Sequence, residues 1–227
     1  MATFYGNIQK NSSTPAPPVI DPDTLALWRF EGNGLDSYVN GYDLSTVGTL
    51  LYPTDRNPPV GINQVVGPFA DANYYTLPAG VNTALSSTAG YYFETYVYLN
   101  SLANQPVILY GLQDSGTWWI QPLSDTTVKA QWGGAIIQTA TSTIATGAWY
   151  HIAFWFHSGS GLSKLWVSPA GSISQTPKAT GDYNRTHNAA TSMAIGRYVA
   201  AGSFFTDGYL KNARFSLTEP STIPMLP

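Results

Sequence analysis

The chain has 227 residues, of which only 10% are charged and 14% aromatic, with 15 Tyr, 7 Trp and no Cys. That length suits one large β domain, and so little charge against a typical ~25% points to a fold held by aromatic burial and backbone pairing. A net charge of -3 with ten scattered Lys and Arg excludes the basic field a nucleic-acid backbone requires, and the lack of Cys excludes disulfides, thiolate metal sites and a Cys nucleophile.

Residues 1–24 form a compositional zone of their own, ending in NSSTPAPPVIDPDT with proline at 15, 17, 18 and 22. Proline fixes φ and removes a backbone donor, so this reads as an extended arm or linker outside any central strand. The arm lacks the apolar core of a signal peptide, and no run approaches the ~18 apolar residues of a membrane helix. Neither Sec export nor a membrane span is expected. Asn11 and Asn184 open Asn-x-Ser/Thr matches, which read as chance without a secretory route.

From Leu25 onward the apolar period is two, not 3.6. In chain order the runs are LALWRF, NYYTLP, YYFETYVYL, PVILYGL, TWWIQPL, TVKAQW, AIIQTAT, WYHIAFWFH, SKLWVSP, MAIGRY and YLKNARFSL. Roughly a dozen short strands separated by Gly, Asn, Asp and Pro predict an all-β, two-sheet antiparallel sandwich or jelly roll over 25–227, with little helix. In YYFETYVYL, alternation puts Tyr92, Glu94, Tyr96 and Tyr98 on one face and Phe93, Thr95, Val97 and Leu99 on the other. One face is core and the other an aromatic, polar surface of the kind that suits sugars.

The order of three stretches resembles the LamG-like jelly roll of the concanavalin A-like lectin/glucanase superfamily. LALWRFEGNGLDSYVNGYDLSTVG is similar to its first strand and Asp-Ser-x-x-Asn-Gly-x-Asp turn. GAWYHIAFWFHSGSGLSKLWVSPAG is similar to its Gly-x-Trp-x-His-Ile-Ala strand, hairpin and returning strand, and MAIGRYVAAGSFFTDGYLKNARFS to its Ile-Gly-Arg and closing strands. Lys211 and Asn212 stand where many members carry two acidic residues. The resemblance implies a fold more than an activity, because the superfamily holds lectins, adhesins, hydrolases and structural modules.

Catalytic residues are not expected. Glucanase relatives use paired acids on one strand, and retaining chemistry needs two carboxyls about 5–5.5 Å apart. Glu31, Glu94 and Glu219 have no acidic neighbour two positions away, and Asp21 and Asp23, which have that spacing, lie in the arm. His151 and His157 are roughly 20 Å apart along a strand, too far to share zinc, and neither His-Glu-x-x-His nor Gly-x-Ser-x-Gly occurs. Facing inward, Glu94 needs a partner; Arg29 is the candidate for a structural ion pair, with a sugar-hydroxyl acceptor as the alternative.

No cofactor is required, and calcium is the one candidate metal. Asp36, Asn40 and Asp43, with Asp207 from the closing strand, offer the oxygens a hard cation takes, but the same residue types build tight turns. Glycan binding rests on aromatic platforms. Tandem Trp118-Trp119 sends one indole away from the core, Trp119 shares its face with Gln121, and Tyr96 and Trp155 lie on the less apolar faces of their strands. Packing or subunit contact is the competing use of such rings.

A lectin-like module made without a signal peptide fits a bacteriophage virion protein, a head decoration or tail adhesin. Residues 1–24 would dock on other virion proteins, many copies would meet host-surface glycans, and neither nucleic acid nor membrane would be a partner. The competing expectations are a stand-alone carbohydrate-binding module and, third, a glycoside hydrolase.

Overall fold

The computed structural model describes residues 22–38, 40–59, 64–103, 105–113, 116–132, 135–157, 162–182, 192–199 and 204–223. Of the arm read as 1–24, residues 1–21 lie outside them. Alternation of large apolar residues draws this chain into thirteen strands and one helix among the described residues. In chain order they are β1 (Thr24–Trp28), β2 (Ser45–Val47), β3 (Tyr74–Thr76), α1 (Ala79–Ser86), β4 (Gly90–Leu99), β5 (Leu109–Gln113) and β6 (Gly116–Pro122). Then follow β7 (Val128–Trp132), β8 (Ala135–Gln138), β9 (Trp149–His157), β10 (Leu162–Pro169), β11 (Ala179–Asp182), β12 (Ser192–Ile195) and β13 (Gly208–Ser216).

The strands form two sheets: sheet I, six strands in the order β1-β13-β4-β9-β10-β11, and sheet II, seven strands in the order β2-β3-β12-β5-β6-β7-β8. Every pairing is antiparallel. The last strand, β13, inserts between β1 and β4, so the first and last described strands are neighbours in one sheet. Asp23 extends this pairing, since its carbonyl accepts from the Leu217 N–H at 3.0 Å and from the Ser216 hydroxyl at 3.0 Å. A bulge between Lys211 and Ala213 breaks the β13 register, and Asn212 takes it up at φ 48, a left-handed angle that Asn tolerates better than most residues.

The core is an aromatic column that crosses from sheet to sheet. Trp118 stacks on Trp132 at 5.4 Å, Trp132 on Phe156 at 4.5 Å, and Phe156 on Tyr91 at 5.1 Å. The first two rings come from sheet II and the last two from sheet I. Such pairs contribute about 0.5–1.5 kcal/mol each beyond their buried area. Gly111 stands opposite Trp118 in the ladder, and a Cβ there would lie 2.1 Å from the indole nitrogen; only glycine leaves room for that ring. Helix α1 adds Val81 and Leu85, both fully buried, to this core. No helix among the described residues is long and apolar enough to cross a membrane.

Candidate functional site

Because Trp118 points into the core, strand geometry turns its neighbour Trp119 outward. The ladder then carries that parity across sheet II: Trp119 faces Tyr110 on β5 and Gln131 on β7, and Gln121 faces Lys129. Tyr198, after β12, closes on this face, its ring 4.7 Å from Tyr110 and 5.6 Å from Trp119, edge-on to both. Phe204 packs edge-on against Tyr198 at 5.8 Å. The result is a cavity of about 250 Å³ lined by Trp119, Gln121, Lys129, Tyr198 and Phe204, with Gln105 and Val107 from the loop before β5.

The polar groups of this cavity are held in place. The Gln121 side-chain amide donates to the Gln105 carbonyl at 3.0 Å, tying the loop to β6. The Lys129 ammonium lies 5.4 Å from the Trp119 ring centroid, and burial pushes its pKa below the ordinary lysine value. Burial, followed by the proximity of Tyr198, raises the Tyr110 phenol to about 12. The Trp119 Nε1 and the Tyr110 hydroxyl are buried without a hydrogen-bond partner. Of the residues read as a glycan platform in the sequence, Trp119 and Gln121 meet here.

Tyr96 and Trp155 do not. They lie on the outward face of sheet I, on the far side of the molecule's core, and are only 2% and 7% exposed. Tyr96 packs with Leu27, Tyr38 and Ile173, and Trp155 with Tyr92, Trp166 and Ile223. Their strand faces are as polar as expected, but chain segments cover them. Gln175 and Ile223 pin the C-terminal segment over this face through two hydrogen bonds between the Gln175 amide and the Ile223 backbone. Lys164 pairs with Glu219 at 2.5 Å nearby.

Glu94 sits in the middle of that covered face with no solvent exposure. It accepts from the Tyr92 hydroxyl at 3.0 Å and meets His151 Nε2 at 2.9 Å, and Arg214 Nε lies 3.9 Å away. Burial, then the Glu94 charge, holds the Tyr92 phenol well above its usual pKa. Arg29 is not the partner, because β13 lies between β1 and β4 and places Arg214 directly opposite Glu94. Arg29, just beyond the end of β1, instead stands near Lys211, whose ammonium reaches Glu31 at 3.1 Å. Burial, offset in part by Glu31, lowers the Lys211 pKa.

The acidic turn after β1 uses its oxygens internally. Asp36 accepts from the Leu27 and Tyr38 amides, both at 2.9 Å, and from the Tyr42 amide at 3.0 Å. Asp43 accepts from the Asp36 amide at 2.8 Å, and Asn40 donates to the Leu25 carbonyl at 2.8 Å. Asp207 is not brought to this turn: it bonds Asn100 at 3.1 Å, roughly 20 Å along β13 from the residues opposite β1. Among the described residues no group of three or more His, Cys, Asp or Glu is placed to share a metal ion.

No family model matches the chain, and no curated protein matches it. Solved structures do. Domain 4 of AbnA, a GH43 extracellular arabinanase from Geobacillus stearothermophilus, determined with arabinotriose, is 20% identical with a TM-score of 0.62, covering 86% of this chain and 94% of that one. The binding domain of botulinum neurotoxin DC, in complex with rat synaptotagmin II, is 11% identical with a TM-score of 0.61, covering 89% of this chain and 50% of that one. Trypanosoma rangeli sialidase is 12% identical with a TM-score of 0.62, covering 93% of this chain and 34% of that one. The chain thus spans about half of the toxin domain and a third of the sialidase. At such identities the shared property is the antiparallel β-sandwich itself.

Proposed function

We propose that this chain is a non-enzymatic glycan-binding β-sandwich that seats a sugar in the sheet II cavity. The observation that carries the reading is the cavity lined by Trp119, Tyr198 and Phe204 together with Gln105 and Gln121, whose side-chain amide is held by the Gln105 carbonyl. Aromatic rings suit the apolar faces of sugar rings, and a fixed amide suits their hydroxyls. Support of a weaker kind comes from the company the fold keeps: one similar domain was solved with arabinotriose, and botulinum neurotoxin type C, of similar fold, depends for cell entry on interaction with two ganglioside molecules.

The finer reading is a virion surface protein, anchored by residues 1–24 and displayed in many copies so that weak contacts with host-surface glycans add up. It is supported by the proline-rich composition of that segment. A stand-alone carbohydrate-binding module is the second reading. A glycoside hydrolase is the third, and it has less support: among the described residues the cavity lining holds no carboxylate, whereas glycosidase chemistry calls for two.

A broad glycan array probed with the full chain tests the first claim. Retention of at least one glycan, lost in Trp119→Ala with the circular dichroism spectrum unchanged, supports it; silence across the array overturns it. Removal of residues 1–21 tests the anchor. If the truncated protein still joins particles at full occupancy, the arm is not what holds it there. Release of reducing sugar from any retained glycan would overturn the non-enzymatic reading.

A further inference from the structure

We propose that the sheet II cavity takes an acidic sugar unit, a single ring bearing a carboxylate or sulfate, and that the Lys129 ammonium receives the anion. This rests on the glycan-binding reading above and narrows it. Lys129 projects outward from β7 between Gln121 and Gln138 in the ladder. Among the described residues it is the one charged member of the cavity lining. Several other buried or half-buried cations have acids at hand: Lys211 meets Glu31 at 3.1 Å, Lys164 meets Glu219 at 2.5 Å and Arg197 meets Asp71 at 2.7 Å. Among the described residues Lys129 has no ion pair, and its ammonium lies over the face of Trp119 at 5.4 Å.

A half-buried ammonium without a counter-charge is costly, and the cost disappears if a bound anion supplies the charge. The downward push of burial on the Lys129 pKa agrees with that state of affairs. The described lining adds no acid: the cross-strand neighbours of Lys129, Gln121 and Gln138, carry neutral amides, and the buried Trp119 Nε1 has no partner. A neutral sugar would use the Trp119 ring yet leave the ammonium with hydroxyl lone pairs alone. Lysine acts as a compact point charge with three donors, which carboxylate and sulfate oxygens satisfy equally well. Size sets the ligand at one ring: about 250 Å³ falls just below the ~300–1,000 Å³ of sites for larger organic ligands.

The test is isothermal titration of the full chain at low ionic strength with matched pairs. Methyl glucuronide is compared with methyl glucoside, N-acetylneuraminate with its methyl ester, and glucose 6-sulfate with glucose. The expected result is that at least one acidic member binds about tenfold tighter than its neutral counterpart, as one charge-assisted contact implies. Added salt should narrow that gap, and the pairs identify whether carboxylate or sulfate is the group read. Lys129→Gln should erase the gap, whatever it does to neutral-sugar affinity, and Lys129→Arg should keep most of it. Equal affinities within all three pairs, or a gap that survives in Lys129→Gln, would overturn the proposal while leaving glycan binding intact. If neither these sugars nor any array glycan binds, the glycan-binding reading falls first and this proposal with it.

Discussion

The outward faces of both sheets set Tyr and Trp rings among polar and charged side chains, yet one is sealed and the other open. On sheet I, Tyr92, Glu94, Tyr96, His151 and Arg214 are at most 2% exposed, and Tyr38, Ile173 and Ile223 pack over them. On sheet II, Trp119 and Tyr198 stay partly exposed around a cavity. The difference lies in what the strands carry between the rings. Sheet I sets a carboxylate between a guanidinium, an imidazole and a phenol, a network that completes itself and tolerates a cover. Sheet II sets a lysine and neutral amides around an indole, which leaves charge and hydrogen-bonding capacity unspent.

The largest expected effect breaks the sealed face. Glu94→Ala strands Arg214 and His151 in the interior, and removing one member of a buried charged group costs about 3–5 kcal/mol. Differential scanning calorimetry should show the melting temperature falling by roughly 10 °C. The glycan affinity of the folded protein should not change, and a parallel loss of affinity would mean that the two faces are not independent. Next comes the open face. Trp119→Ala should weaken a retained glycan by about thirtyfold, roughly 2 kcal/mol, whereas Trp155→Ala should lower the melting temperature and leave affinity alone. The reverse pattern would exchange the roles assigned to the sheets.

A smaller effect is expected at the turn after β1. Asp36→Ala removes the acceptor of three backbone amides, at a cost of about 1–3 kcal/mol, and thermal denaturation with and without EDTA should give the same midpoint. A drop on chelation would place a calcium ion among Asp36, Asn40 and Asp43 after all. The smallest effect is at Tyr110, whose hydroxyl is buried without a partner. Tyr110→Phe should be neutral or stabilise by up to about 1 kcal/mol; a clear loss of stability in urea titration would reveal a hydrogen bond for that hydroxyl.

Much of this was legible in the sequence because alternation reports locally. Each of the eleven apolar runs contains a strand, and the tandem Trp118-Trp119 correctly splits into a core ring and an outward ring. Lys129 was within reach of the same reasoning, since it stands between the buried Val128 and Ala130. Strands β2 and β11 escaped because STV and ATGD are short, largely exposed and show no apolar alternation. Arg29 was paired with Glu94 from the order of runs along the chain, but β13 arrives from nearly two hundred residues downstream and takes the place between them. Covering is equally non-local: nothing within YYFETYVYL or WYHIAFWFH tells that Tyr38, Ile173 and Ile223 will close over them. Tyr198 and Phe204 reach the cavity from beyond β12, which depends on β12 lying beside β5.

The central claim is that sheet II, not sheet I, is the binding face. Titration of the isotopically labelled chain with a glycan retained on the array, followed by proton–nitrogen correlation spectra, tests it most directly. The account predicts shifts at the Trp119 indole N–H, the Gln121 side-chain amide and the backbone of Lys129, with the Trp155 and Trp166 indoles unmoved. Shifts gathered at Trp155, Trp166 and His151, with Trp119 silent, would contradict it.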